Sequence, residues 1–305
     1  MKLIYFLIFF LCLNQSFGQE LLAGRIIDST SKKGVSFAAI VNTTQKNGVY
    51  ATENGDFVLS INKGDTLKIS CIGYKPVERL VKETITKEPL LFYLIPAENK
   101  LTDVIIKSIN WSNYLERERG YSGTKSNLHV SANTGMEYAV FIPNANTIPG
   151  TKIYSLNYRL NKIHLSSVAI RLHLYKANED NTPGNELLDS NYVEILEGKM
   201  DKVISYNISG LQIELPPNGV FVGIEWLGAF DSRSNAIMYK NAVEPNMGFN
   251  FKLKSPITYE RKHNDMWKIS DTRQLFINSP SYQSLESKNI PNASFGITIK
   301  VPKKI

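Results

Sequence analysis

The sequence predicts an all-β chain built as two successive β-sandwiches. Three observations predict it. Apolar residues recur with a period of two, as in Phe57, Leu59 and Ile61, in Leu67, Ile69 and Cys71, and at the even positions of Val168–Tyr175. Glycine, proline and asparagine turn signals punctuate these runs at intervals of roughly ten residues. Helical periodicity is nearly absent beyond residue 120.

The chain opens on a targeting pattern. Lys2 is the one charge before Glu20, and Leu3–Leu13 is an apolar run. That run is too short to span a bilayer, which takes about 20 residues. Ser16-Phe17-Gly18 places small residues at the −3 and −1 positions, so residues 1–18 read as a signal peptide cleaved before Gln19. An uncleaved anchor is the competing reading. Cys12 follows Leu11 rather than a small residue, which argues against lipidation. The expectation is an exported protein, in the periplasm or associated with the outer membrane or cell surface, with no transmembrane segment after cleavage.

Residues 19–96 form the first predicted domain, organised around Lys46–Tyr74. Asn54-Gly55 suits a turn in which both central residues take positive φ. Val49–Thr52, Phe57–Ile61 and Leu67–Cys71 read as an antiparallel meander with one apolar face, which needs a second sheet to cover it. Leu21–Ile27, Val35–Val41, Val77–Val81 and Leu90–Ile95 bring the count to seven strands. Gly55 and Gly73 suit positive φ, and Phe57 and Tyr74 are candidate core plugs.

These residues carry a resemblance. Gly24-Arg25-Ile26-Ile27-Asp28, Gly34–Val41, Gly48, Thr52, Asn54-Gly55-Asp56-Phe57, Leu67 and Ile72-Gly73-Tyr74 resemble, in order and spacing, a carboxypeptidase-like regulatory domain. The resemblance implies a transthyretin-like β-sandwich. It also implies the company such domains keep, on exported bacterial proteins and ahead of TonB-dependent outer-membrane receptors. Leu101–Ile106 resembles the hydrophobic stretch that follows the domain in those receptors. About 200 residues follow, too few for a plug and barrel, so a receptor is not expected.

Residues 97–120 read as a linker, in which Trp111–Arg119 could form a short helix with a charged face. Trp111 reads as a domain-interface anchor or a ligand platform. Residues 121–305 read as a jelly-roll-like β-sandwich. Its strands are Glu137–Ile142, Lys152–Leu160, Val168–Lys176, Lys202–Ile208, Val220–Leu227, Phe249–Leu253 and Ser294–Val301, with Pro149-Gly150, Pro183-Gly184 and Pro216–Gly219 as breaks. The run from Leu174-Tyr175 through Pro183-Gly184 and Leu187-Leu188 to Val220–Trp226 is similar to jelly-roll domains of secreted adhesins and carbohydrate-binding modules.

Chemistry is sparse. The formal charge of +7 is spread thinly: 10 Lys/Arg against 8 Asp/Glu in residues 20–96, and 24 against 20 beyond. No basic cluster tracks phosphates, so nucleic acid is not an expected partner. After cleavage Cys71 is the one remaining cysteine, so no internal disulfide forms, and its alternation with Leu67 and Ile69 reads as a small buried hydrophobe. None of His129, His164, His173 and His263 begins an H-x-x-E pair or H-E-x-x-H, so the resemblance carries no zinc peptidase site with it. His173 reads as solvent-facing or hydrogen-bonded. Gly120–Gly123 only approximates a nucleophile elbow. No catalytic residue, cofactor or metal ligand is assigned. Glu179, Asp180, Asn181 and Asp189 read as a solvated turn or a calcium loop.

Candidate ligand contacts are Trp267, Tyr282 and Glu225. Trp267 lies in a polar stretch, Tyr282 is one of several tyrosines that suit sugar stacking, and Glu225 lies on the strand face opposite Val222 and Trp226. The competing reading of Glu225 is an outward charge on a half-solvated sheet. Trp226 alternates with Val222 and Ile224 and reads as core. The expected function is non-enzymatic binding or scaffolding in the bacterial envelope, with an envelope protein or a glycan as partner. A carbohydrate-binding module and a hydrolase of unrecognised type are the alternatives. Expression of the full chain in a bacterial host is expected to yield exported protein whose intact mass starts at Gln19. A mature mass that retains residues 1–18 would contradict the leader assignment.

Overall fold

A computed structural model describes residues 20–82, 89–97, 109–124, 128–145, 147–161, 167–197, 201–230, 236–237, 243–263, 265–278, 283 and 289–303. The leader and the stretch Leu101–Ile106 lie outside the described residues.

Among the described residues the first sandwich has eight strands: β1 (Glu20–Asp28), β2 (Ala39–Asn42), β3 (Asn47–Tyr50), β4 (Asp56–Ile61), β5 (Thr66–Ser70), β6 (Tyr74–Lys75), β7 (Val77–Leu80) and β8 (Leu90–Pro96). They form two four-stranded sheets, ordered β4-β1-β8-β6 and β3-β2-β5-β7. Leu22, Ile26, Ile40, Phe57, Leu59, Ile61, Leu67, Ile69 and Leu94 fill the space between them. These are the inward members of alternating strands, as the period of two requires. Tyr74 is partly buried, and its hydroxyl donates to Asp28 Oδ2 (2.9 Å).

The pairing differs from the expected meander. β3 and β5 share one sheet, while β4 lies in the other. Alternation says which face of a strand is buried but not which strand it pairs with. The chain therefore crosses the sandwich twice in this stretch. The crossing needs close backbone approach. Gly55 (φ +84°) accepts a hydrogen bond from Ile26 N at 2.8 Å. A Cβ on Gly55 would stand 2.5 Å from Ile26 O, and one on Gly34 only 2.0 Å from Asn54 O.

The second sandwich comprises β9 (Tyr114–Gly120), β10 (His129–Ala132), β11 (Met136–Ile142), β12 (Lys152–Asn161), β13 (Ser167–Ala177), β14 (Pro183–Glu186), β15 (Val193–Leu196), β16 (Asp201–Asn207), β17 (Val220–Phe230), β18 (Ala236–Ile237), β19 (Val243–Leu253), β20 (Thr258–Lys262), β21 (Lys268–Ile269), β22 (Ile290–Ala293) and β23 (Phe295–Pro302). One sheet runs β10-β19-β12-β23-β9, with β16 on β12 and β22 on β19. The other runs β14-β13-β17-β11-β20-β21, with β15 on β13 and β18 on β17. Trp226, Tyr158, Phe249 and Phe295 are fully buried between the sheets. Their polar handles are satisfied: Tyr158 donates to Gly223 O (2.9 Å) and Trp226 Nε1 to Pro245 O (3.2 Å).

Two expectations are corrected. Trp111–Asn113 is a single 3₁₀ turn, and Tyr114–Gly120 is a strand rather than helix. The strand pairs with β23 at the sheet edge, where Glu116 faces Lys300 across the ladder (2.8 Å). Glu116 and Glu118 fall on one face and Arg117 and Arg119 on the other, so the charges carry a period of two. A charged edge also resists pairing with foreign strands. Pro183-Gly184 does not break the sheet. It starts β14, whose Pro183 pairs opposite Ala177 at the sheet edge and at the first strand position, both places where a strand tolerates proline.

Gly55→Ala is expected to destabilise the first sandwich by roughly 2–4 kcal/mol, since it combines positive φ with a backbone clash. The urea midpoint of the purified variant checks this.

Candidate functional site

The site grows from the outward face of the second sandwich's larger sheet. Register places Glu225 on β17 between Glu137 on β11 and Arg171 on β13, and Arg261 on β20 opposite Glu137. Four strands thus present one row, Arg261–Glu137–Glu225–Arg171, with the two carboxylates adjacent in the middle. Each carboxylate has its own arginine: Arg261 Nε lies 2.7 Å from Glu137 Oε2, and Arg171 Nη1 lies 2.5 Å from Glu225 Oε2.

His173, two residues along β13 from Arg171, closes the cluster. Its Nδ1 meets Glu186 Oε2 at 2.6 Å, and its Nε2 lies 3.4 Å from Glu225 Oε2 and 3.9 Å from Glu137 Oε1. Both ring nitrogens face carboxylates, so both serve as donors and the ring is imidazolium. Three cations then balance three carboxylates. Tyr175 stacks on the His173 ring (5.3 Å), donates to Glu137 Oε1 (2.6 Å) and accepts from Arg261 Nη2 (2.8 Å). Gly223 makes the notch they occupy, since a Cβ there would sit 3.1 Å from His173 Cβ.

The charged row on this face is largely buried. The first sandwich covers part of it. Phe37, Ala39 and Tyr50 pack against Ala169 and Leu227. The Tyr50 hydroxyl donates to Glu225 Oε1 in a short hydrogen bond. Arg171 Nη2 donates to Phe37 O at 2.5 Å and its Nε to Asn191 Oδ1 at 2.6 Å, while Asn191 Nδ2 donates to Ser36 O at 3.2 Å. Phe37 holds φ +54°, a left-handed conformation that disfavours a bulky side chain. Its carbonyl is the acceptor that Arg171 engages. His263, another left-handed residue (φ +49°), packs its ring against Gly135 and near Tyr50.

The titration behaviour follows. Burial opposes charge on Glu225, but Arg171, His173 and Tyr50 more than offset it and hold the carboxyl far below its usual range. Burial also opposes charge on His173, yet Glu137, Glu186 and Glu225 push it from 6.5 up to about 10. Burial, with the neighbouring carboxylates, pushes the Tyr50 and Tyr175 hydroxyls well up.

The structure brings two of the three candidate contacts to this place. Glu225 is 2 % exposed, so the half-solvated reading of its face is corrected: the first sandwich shuts out the water. Trp267 is half-buried, edge-on to Tyr175 (5.5 Å), with the Arg261 guanidinium 4.3 Å from its ring centre. Tyr282 lies outside the described residues. His173 is buried and hydrogen-bonded. Asp180 accepts from the Thr182 amide and hydroxyl, as a turn residue does. Among the described residues no group of three or more His, Cys, Asp and Glu is arranged to hold a metal ion. Cys71 is buried, and burial pushes its thiol up. Trp111 packs edge-on against Tyr114 and Tyr154 of the second sandwich. Glu137, Arg171, Arg261 and Tyr50 were not anticipated. Their signal was a polar residue at an outward strand position, which means nothing until the register is known.

Comparison with known proteins agrees with the first sandwich. Residues 22–106 match the CarboxypepD_reg-like domain family. No curated protein matches the chain. Solved structures resemble it distantly. A clostridial cysteine protease after propeptide cleavage shares 11% identity at TM-score 0.37, over 93% of this chain and 66% of that one. The chain therefore spans just under two-thirds of that protease. A DUF3823 family protein from Parabacteroides merdae shares 13% identity at TM-score 0.18, over 68% and 90% of the two chains. A putative carbohydrate binding protein from Bacteroides uniformis shares 12% at TM-score 0.19, over 75% and 98%.

Arg171→Met is expected to cost about 3–5 kcal/mol, because it strands the Glu225 charge in a buried site. Denaturant unfolding measures the loss, and limited proteolysis should show the two sandwiches separating. The pH dependence has a definite sign. His173 is raised in the folded state, so its contribution is fully present below 6.5 and is lost as pH climbs through about 10. The urea midpoint should therefore fall across that window, and His173→Gln should flatten the fall.

Proposed function

We propose that the chain is an exported, non-catalytic binding or scaffolding protein of the bacterial envelope, with its CarboxypepD_reg-like sandwich serving protein interaction. The observation that carries this reading is the charge state of the junction. A general acid or base works best with a pKa near the working pH. His173 is pushed up to about 10 and Glu225 far down, so each keeps one protonation state across the neutral range. The same groups tie β13 and β17 of the second sandwich to Phe37 and Tyr50 of the first. They hold two sandwiches in one orientation, which suits presentation of a composite surface. The apolar leader and the Ser16-Phe17-Gly18 pattern support export.

Purified protein starting at Gln19 tests the reading. Hydrolysis of a panel of peptide, ester and glycoside substrates is expected at the buffer background. A column of this protein is expected to retain a component of envelope extract that a column of an unrelated β-sandwich does not. Turnover that disappears in Glu225→Gln would overturn the non-catalytic assignment, and background retention would overturn the binding role.

A further inference from the structure

A cleft of about 500 Å³ opens beside the charged row, between the two sandwiches. One wall is the turn from Cys71 to Tyr74 in the first sandwich. The other holds Arg171, His173, Glu186 and Arg261 of the second. Its size suits a small ligand or the end of a peptide.

The walls differ in what they have left to offer. Glu186 places one oxygen on His173 and the other on the Leu174 and Leu188 amides. Asp189, exposed at the edge of the cleft, accepts from the Ser190 and Tyr192 hydroxyls through Oδ1. Arg171 gives three of its N–H groups to Asn191, Glu225 and Phe37 O, and Arg261 gives fewer. A guanidinium carries five N–H donors. Glu137 takes one of them and Tyr175 another. The remaining three have no acceptor among the described residues, although the side chain is only 15% exposed. Trp267 and Tyr175 pack against the same guanidinium, at 4.3 and 5.4 Å from their ring centres, and limit its movement. A rigid, half-used fork in a sheltered cleft matches the two oxygens of a carboxylate. Partly buried Ile72 and Tyr74 opposite give an apolar portion somewhere to lie.

We infer that this cleft binds a carboxylate-bearing ligand, with Arg261 as its anchor and the first sandwich as its lid-side wall. The inference rests on the binding role proposed above and gives that role a site. A free organic acid and the acidic end of a peptide share this chemistry, so both serve as probes.

Isothermal titration calorimetry at constant ionic strength tests it, with succinate and an acetylated Asp-Glu dipeptide against the protein starting at Gln19. Saturable binding of either probe is expected, at a Kd near or below about 1 mM. Binding of the dipeptide alone points to a peptide source, and tighter succinate binding to a free acid. Arg261→Lys keeps the charge and loses the fork, and should weaken binding about tenfold or more. That variant also disturbs Glu137, so Asn185→Trp provides a second arm. Asn185 is an exposed cleft residue on β14 outside the charged row, and filling the cleft there should abolish binding with the melting temperature unchanged. No saturable heat with either probe, equal affinity for inorganic phosphate, or full binding by Asn185→Trp would each overturn the site. If envelope retention survives such a failure, this cleft is wrong and the binding role stands. Hydrolysis of the dipeptide would sink the binding role itself.

Discussion

Arg171 and Glu225 meet at 2.5 Å with both side chains buried, and much of the remaining architecture answers to that contact. Both charges were taken out of solvent at considerable cost, which a lone pair does not recover. The surroundings supply the balance. Tyr50 and His173 serve the carboxylate, and Phe37 O and Asn191 serve the guanidinium. Two of these four partners belong to the other sandwich. Domain docking is therefore part of how the charges are satisfied. The left-handed Phe37 backbone is understandable in the same terms, because it presents the carbonyl that Arg171 requires.

A buried ionic cluster of this kind contributes specificity of arrangement more readily than stability. Apolar contact between Phe37, Ala39, Tyr50, Ala169 and Leu227 would press the sandwiches together in many nearby orientations. Hydrogen bonds with fixed directions accept one. Every carboxylate of the junction also lies beside a cation. The surplus donors of Arg261 are the point at which this closed system still faces outward.

The residues themselves announced a good deal. Val168–Tyr175 and Val220–Trp226 alternate so plainly that their strands and inward faces were readable directly. Gly55 and Gly73 marked positive φ, and both adopt it. The resemblance carried by Gly24–Asp28 and Ile72-Gly73-Tyr74 matched the family found over residues 22–106. Errors arose where two periodicities compete or where partners had to be chosen. Trp111–Arg119 offered charges compatible with a helix, and the open edge of β23 drew Tyr114–Gly120 into a strand. Phe57–Ile61 looked like the middle of a meander, yet it pairs with β1.

Local sequence determined that this chain would be mostly β, where it would turn, and which side chains would face inward, because those properties depend on neighbours two to four residues away. Tertiary structure decided what the outward faces do. Neighbours in the row Arg261–Glu137–Glu225–Arg171 are separated by 54 to 124 residues along the chain, and Tyr50 reaches Glu225 across 175. No periodicity records such meetings. Strand register and the docking of one sandwich on the other create them, and with them the low-dielectric setting that sets every charge in the cluster.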